Sequence, residues 1–483
     1  MFWRGVLGYL PVNIVQGVVG LLTIVVFTRV LDPHQYGDYA LALSVVMVTH
    51  TALFTWLEAA MARFQPAEAA GGSIPDHFAT LYRTWAILAV AMLVLGGAIL
   101  ALWPMTASLK IALATGLGGT LFKGLGRLAQ EHRRAAGRVR EAALMDIATT
   151  AGGFAAGAGL ALAGFGGAAP LTGIAIAFMI CLVWVLPSEL KLSRGGKLQP
   201  ERVRSYAHYG LPLAASLILG LILSTVDRFM IAGFMDSGTV GVYHAGYSLA
   251  NRTLDVIFIG LGSAAGPAAI AALEFGGRPA LDKTAREQSS FMLLIAIPAA
   301  VGLALVAQPL ADLLVGEDLR EGAARVTPWI AASGLFAGIT TYYFHTAFTL
   351  AKATRLLLLA MTVPAAANII LNVALIPRFG LMGAVVATAI SYALGLIASA
   401  LIGRRAIALP IPWSTLARAG AASAVMAVVV SLIPDFGGVL ELALKAGVGG
   451  LVYGLVALVL DAGGARNQGA ALLSRLRAKV SPA

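Results

Sequence analysis

Fourteen apolar stretches, each long enough to cross a bilayer, fill the chain from Val6 to Leu460. An apolar run of roughly 17–25 residues spans the hydrocarbon core as a helix. Lipid offers a bare backbone no hydrogen bonds, so spanning segments must be helices or a closed barrel. The runs lack the strict alternation of a barrel strand. They fall at about residues 6–28, 39–60, 84–104, 107–126, 142–164, 168–188, 207–227, 240–270, 289–309, 327–351, 356–377, 381–403, 414–434 and 439–460. The expectation is an all-α polytopic membrane protein of about 14 transmembrane helices.

Apolar residues make up 59% of the chain and charged residues 12%, about half the charge of a soluble domain. The 55 glycines suit membrane helices that pack through small residues. The single cysteine, Cys181, lies inside an apolar span, which rules out an intramolecular disulfide and a thiol metal motif. A net charge of +11 would suit a nucleic-acid binder if it were spread over a soluble surface. Instead most of the Lys and Arg residues lie on alternate loops, including Arg133, Arg134, Arg138 and Arg140, then Lys191 to Arg204. Arg404, Arg405, Arg418, Arg475, Arg477 and Lys479 continue the series. The positive-inside rule puts that side, with both termini, in the cytoplasm. No nucleic-acid partner is expected. Arg4 precedes an apolar run too long for a signal peptide's core, and no A-x-A site follows, so the first span is expected to stay in place.

The chain repeats at a spacing of about 200 residues. Gly8-Tyr9-Leu10-Pro11 opens the first span and Tyr209-Gly210-Leu211-Pro212 the seventh. Tyr36-Gly37-Asp38-Tyr39 leads into span two, and Val240-Gly241-Val242-Tyr243 into span eight. Six spans separate the copies, so both point the same way, the parallel repeat of two-lobed transporters whose substrate site lies between lobes. This gives an N-terminal six-helix lobe at 1–188, a basic cytoplasmic linker at 189–206 broken by Gly195, Gly196 and Pro200, and a second lobe at 207–404. An appended helix pair and a basic tail occupy 405–483.

Three strings carry a family resemblance. Thr28 to Tyr39 (Thr-Arg-Val-Leu-Asp-Pro-His-Gln-Tyr-Gly-Asp-Tyr) is the first. The second is Tyr209 to Pro212, followed by Asp227-Arg228-Phe229-Met230-Ile231 and Val240 to Tyr243. The third is Asn368-Ile369-Ile370-Leu371-Asn372, then Ile376-Pro377-Arg378-Phe379-Gly380, Gly383-Ala384 and Ala387-Thr388. In this order they resemble Wzx-type polysaccharide flippases of the multidrug/oligosaccharidyl-lipid/polysaccharide exporter superfamily. The resemblance implies two six-helix bundles around a central cavity, alternating access, and movement of undecaprenyl-diphosphate-linked oligosaccharide across a bacterial inner membrane. Lipid II flippases and multidrug antiporters share that fold. The strings also have physical readings. Pro33 and Gly37 stop one helix and start another, as Pro377 and Gly380 do. Gly383, Ala384 and Ala387 allow close helix contact.

Polar groups inside spans mark candidate sites, since each is costly unless it faces a cavity or a partner. His244, Tyr247, Ser248, Asn251, Arg252 and Asp255 fall within an arc of about 140° on span eight. Arg252 leads this set because a guanidinium fork suits a diphosphate or an acidic sugar. Asp255, one turn on, is the alternative partner that would neutralise it. His50 and Glu58 in span two, and Tyr342, Tyr343 and His345 in span ten, are candidate cavity residues. Lys123 and Arg127 would meet a phosphate entering from the cytoplasm, or serve only as positive anchors. Asp227 is expected to pair with Arg228 or cap a loop.

No hydrolase, zinc-protease, kinase or P-loop motif is present. The longest outer loop, about Pro309 to Thr327, is too short for a membrane-bound polymerase or ligase. A non-enzymatic transporter without a bound cofactor is expected, driven by an H+ or Na+ gradient or by removal of product. Its partners would be the lipid-linked oligosaccharide, membrane lipids, and a polysaccharide polymerase with its export machinery.

Overall fold

The computed structural model describes residues 2–464 and 466, and side chains among these except those of 2–10 and 263–264. The tail residues Arg475, Arg477 and Lys479 lie outside the described residues. Among the described residues the chain is helical throughout its ordered elements, with no strand. In order these are α1 (Phe2–Val30), α2 (Pro33–Leu53), α3 (Thr55–Ala70), α4 (Ile74–Leu102), α5 (Ala107–Ala135), α6 (Val139–Leu162), α7 (Ala169–Leu192) and α8 (Pro200–Phe234). They continue with α9 (Ser237–Leu305), α10 (Ala307–Leu314), α11 (Glu317–Ile339), α12 (His345–Leu350), α13 (Thr354–Gly403), α14 (Trp413–Ser431) and α15 (Gly438–Val459).

Eight of these are long and apolar enough to cross a bilayer, or nine with α2 and α3 taken as one bent span. Two of them are too long to be single spans. At 69 and 50 residues, α9 and α13 would measure roughly 100 and 75 Å if straight, far beyond a bilayer core of about 30 Å. Each is broken at a glycine with positive φ, Gly277 (φ 63°) and Gly380 (φ 57°), a conformation that disfavours any side chain. Each is therefore two spans. With α5, α6 and the α11–α12 segment, the described helices make fourteen, in agreement with the apolar pattern.

The pattern placed some boundaries wrongly. Span eight runs on to the break at Gly277 rather than ending near 270. Span seven is 35 residues long because Pro200, at the first turn of α8, starts a helix instead of ending one. The expected outer loop at Pro309–Thr327 is largely helical, taken up by α10 and the start of α11.

The chain divides into two compact units, Met1–Ala245 and Gly246–Ala483. In the first, α7 packs against α5 and α6, and α8 packs against α2 and α3. The α6–α7 approach is backbone to backbone, since a Cβ on Gly173 would overlap the Gly157 nitrogen and the Gly153 oxygen. An aromatic core of Phe54, Trp56, Phe78, Tyr82 and Tyr206 fills the space between α3, α4, α5 and α8. In the second unit α11 packs on α13, and α14 on α15. Ile87, Val90, Val94, Leu95 and Ile99 of α4 are exposed, the outward apolar face expected of a helix against lipid.

The first unit is braced at one end by buried charge. Glu189, fully buried, accepts from Arg133 Nη1 at 2.8 Å and Tyr82 Oη at 3.0 Å, and contacts His132 Nδ1 at 3.0 Å. The connection at 193–199 is strapped onto α4: Asp76 accepts from the Lys197 N–H at 2.8 Å and from Gln199 Nε2 at 2.6 Å. Removing one partner of a buried, hydrogen-bonded ion pair leaves the other charge uncompensated, at a cost of about 3–5 kcal/mol. Glu189→Ala is therefore expected to lower the melting temperature of the purified protein by many degrees. An unchanged unfolding curve in detergent would refute this account of the brace.

Candidate functional site

At the opposite end of the first unit, Asp32 caps α2. Its side chain accepts from the Gln35 N–H at 2.9 Å, and the Gln35 side chain returns to the Asp32 N–H, the reciprocal pair of a capping box. Pro33 then fills the first helical position. This start aims α2 across the N-terminus of α9, and the two repeated motifs meet there. A methyl on Gly37 would overlap the Ser237 carbonyl oxygen, and one on Gly241 would overlap that of Pro33. The contact is reciprocal: Pro33 and Gly37 on one side match Ser237 and Gly241 on the other, as across a two-fold axis.

Polar and aromatic groups surround this crossing. His34 Nδ1 lies 3.2 Å from Ser237 Oγ. The His244 ring sits 5.4 Å from Tyr36 and 6.0 Å from Tyr39, and Arg228 Nε donates to its Nδ1 at 3.3 Å. Asp227 accepts from Tyr243 Oη at 2.7 Å, which ties it to a tyrosine of the second motif. His244 thus belongs to the closure between helices.

Deeper in the first unit, the structure brings together residues that sequence spacing alone keeps apart. His50 and Glu58 are eight positions apart, about 12 Å along a straight helix. The chain bends by 43° between α2 and α3, at Phe54, and this brings His50 Nε2 within 2.9 Å of Glu58 Oε1. Lys123 and Arg127, one turn apart on α5, line a cavity of about 220 Å³ with Thr23, Tyr39, Thr149 and Thr150. Arg127 bonds to Gln130 at 2.8 Å and pairs with Asp146 at 3.1 Å. Asp146 also holds Arg134 at 2.8 Å.

In the second unit Asp255 accepts from Asn251 Nδ2 at 2.8 Å. Arg252, exposed, acts on Asp255 through space without a direct ion pair among the described residues. Tyr247 is buried. Tyr342 lies flat on Phe258, with centroids 5.9 Å apart, within a π-helical turn at Thr340–Phe344, a distortion frequent at functional sites. His345 Nε2 contacts Ser399 Oγ at 3.4 Å.

Sequence reasoning missed Asp146, Glu189, His132 and Tyr82. It also counted Arg133 and Arg134 as loop charges, whereas Arg133 is buried and both have carboxylate partners. The available signal was the pair of acids, Asp146 and Glu189, lying in or beside apolar spans. The glycine crossing also carries a test. Gly37→Leu forces α2 and α9 apart, and overpacking of this kind costs about 1–3 kcal/mol or more. Gly17→Leu, at a site with nothing within 4 Å, is the control. The expected result is a lower melting temperature for Gly37→Leu alone; equal curves would remove the crossing from the fold's tight contacts.

Several solved structures share this architecture. Lipid II flippase MurJ, in an inward closed conformation, superposes with a TM-score of 0.78 at 15% identity, covering 93% of this chain and 98% of that one. An inward-facing multidrug resistance MATE family transporter of the MOP superfamily gives 0.65 at 14% identity, covering 81% and 94%. A MOP superfamily transporter from Pyrococcus furiosus gives 0.56 at 13%, covering 83% and 92%. At these identities the likeness establishes the fold. No protein of curated function matches the chain in sequence. Residues 26–323, more than half of the chain, match the polysaccharide biosynthesis protein family. The chain therefore belongs to the polysaccharide biosynthesis protein family, built on the transporter fold of the MOP superfamily.

Proposed function

We propose that this protein flips undecaprenyl-diphosphate-linked oligosaccharide from the cytoplasmic to the periplasmic leaflet of a bacterial inner membrane, for polysaccharide export. The observation that supports it most is the family match over residues 26–323, joined to a helical transporter fold without a catalytic motif. The positive-inside pattern orients the Arg133 end and both termini to the cytoplasm. On that orientation the Gly37–Gly241 crossing closes on the periplasmic side, and alternating access requires it to part. The lobes at 1–188 and 207–404 are the bodies that move. Arg252 is the substrate contact in the second lobe, its fork free of a direct carboxylate pair among the described residues and suited to a phosphate or an acidic sugar. Asn251 and Asp255, bonded to each other, lie beside it on the same helix, and Tyr247 and His345 belong to the same lobe's cavity. The coupling ion is H+ or Na+, and the product passes to a polymerase and export machinery.

A second reading, lipid II transport, is favoured by the superposition on MurJ over 93% of this chain. Mass spectrometry of lipid extracts from depleted cells separates the two. The expected result is accumulation of a lipid-linked oligosaccharide other than lipid II. Lipid II accumulation alone would establish the second reading, and unchanged lipid-linked sugars would refute both. Arg252→Ala, present in the membrane at the wild-type level, is expected to fail to clear the accumulated lipid; full clearance would remove Arg252 from the path.

A further inference from the structure

The cavity of about 220 Å³ in the first unit lies inside one helix bundle. Its lining comes from α1, α2, α5, α6 and α7, including Thr23, Tyr39, Lys123, Arg127 and Thr150. It is too small for an oligosaccharide and about the right size for a diphosphate. α1 packs against α6 and makes little contact with α2.

The two cations that line it are not equivalent. Arg127 already pairs with Asp146 at 3.1 Å, a carboxylate it shares with Arg134. Lys123 has no hydrogen bond and no ion pair within 4.0 Å among the described residues. Its electrostatic neighbours are Arg127, which repels it, and Glu58, which attracts it through space. Glu58 in turn is engaged by His50 across the bend at Phe54. A half-buried ammonium inside a membrane bundle is costly without a partner. Thr150, which also has no hydrogen-bond partner among the described residues, adds a hydroxyl donor to the same wall. The chemistry of this wall is that of an anion site lacking its anion.

We propose that this cavity binds a phosphoryl anion, with Lys123 as the principal ligand, Arg127 and Thr150 in support, and Glu58 as the internal counter-ion that the anion displaces. The proposal rests on the flippase reading for the identity of its occupant, the diphosphate of the lipid-linked substrate. It assigns that group to the first bundle and ties its arrival to the bent α2–α3 span, because Glu58 sits on one side of the bend and His50 on the other. When the anion takes over Lys123, Glu58 is left to His50 alone.

The test is binding of inorganic pyrophosphate to the purified full-length protein in phosphatidylcholine nanodiscs, by calorimetry. Saturable binding is expected, weakened at least tenfold in Lys123→Gln, retained in Lys123→Arg and strengthened in Glu58→Gln, which removes the competing carboxylate. Each variant's melting curve is recorded first, and removal of an unpaired ammonium is expected to leave Lys123→Gln as stable as the wild type. No binding, or equal binding in wild type and Lys123→Gln, overturns the site. Repeating the titration with phosphatidylglycerol distinguishes the source of the anion. Unchanged affinity supports the substrate diphosphate, and a loss of affinity that grows with phosphatidylglycerol content overturns that assignment in favour of lipid headgroups. If pyrophosphate binds as expected but depleted cells accumulate no lipid-linked sugar, the site stands and the flippase reading falls.

Discussion

The crossing of α2 and α9 sets the geometry of the first unit, and it depends on the absence of two side chains. Gly37 and Gly241 let the helices approach until each glycine faces a carbonyl of the other helix, Ser237 and Pro33 respectively. Such contact is worth more in a membrane than in water, because lipid gives helices no hydrophobic reason to associate and close packing must hold them. Around it the aromatic cluster of Tyr36, Tyr39 and His244 and the Tyr243–Asp227 bond are buried only because the backbones are so near. The bend at Phe54 begins in the same helix, downstream of a start aimed by Asp32 and Pro33.

Charge is treated differently at the two depths of this unit. The Glu189 brace gives every charge a partner, as a low-dielectric site requires. The cavity beside Lys123 does not. Fully satisfied networks stiffen a bundle, whereas an ammonium held without a close counter-ion gains most when an anion arrives. The first arrangement maintains shape, and the second leaves one bundle ready to respond to a ligand. In the second unit the π-helical turn at Thr340–Phe344 and the Asn251–Asp255 pair place polar groups within otherwise apolar helices.

Much of the fold was legible because membrane helices declare themselves through length and apolarity. Gly380, between Pro377 and Gly383, was readable as a turn from composition. Gly277 lay within the expected connection between spans eight and nine, but apolarity ended span eight near 270. The positive φ of Gly277 places the break later, because polar residues continue the helix. The π-helical turn left no trace in the pattern. His50 and Glu58 were both recognisable as costly groups within one span, yet their pairing depends on a bend that nothing in spacing announces.

The amino-acid sequence by itself determined that this protein is a helical membrane protein of about fourteen spans, and which family it belongs to. These properties follow from local pattern: apolar length, loop charge and short motifs at turns. Tertiary structure alone decided which charges are neutralised. Arg127 and Lys123 look alike at one-turn spacing, but Asp146 reaches the first while no carboxylate sits against the second. Arg133 looks like a loop anchor until Glu189 is found buried against it. A partner's identity depends on which helices pack together, and that is set by non-local contacts such as the glycine crossing, whose two halves lie about 200 residues apart in the chain.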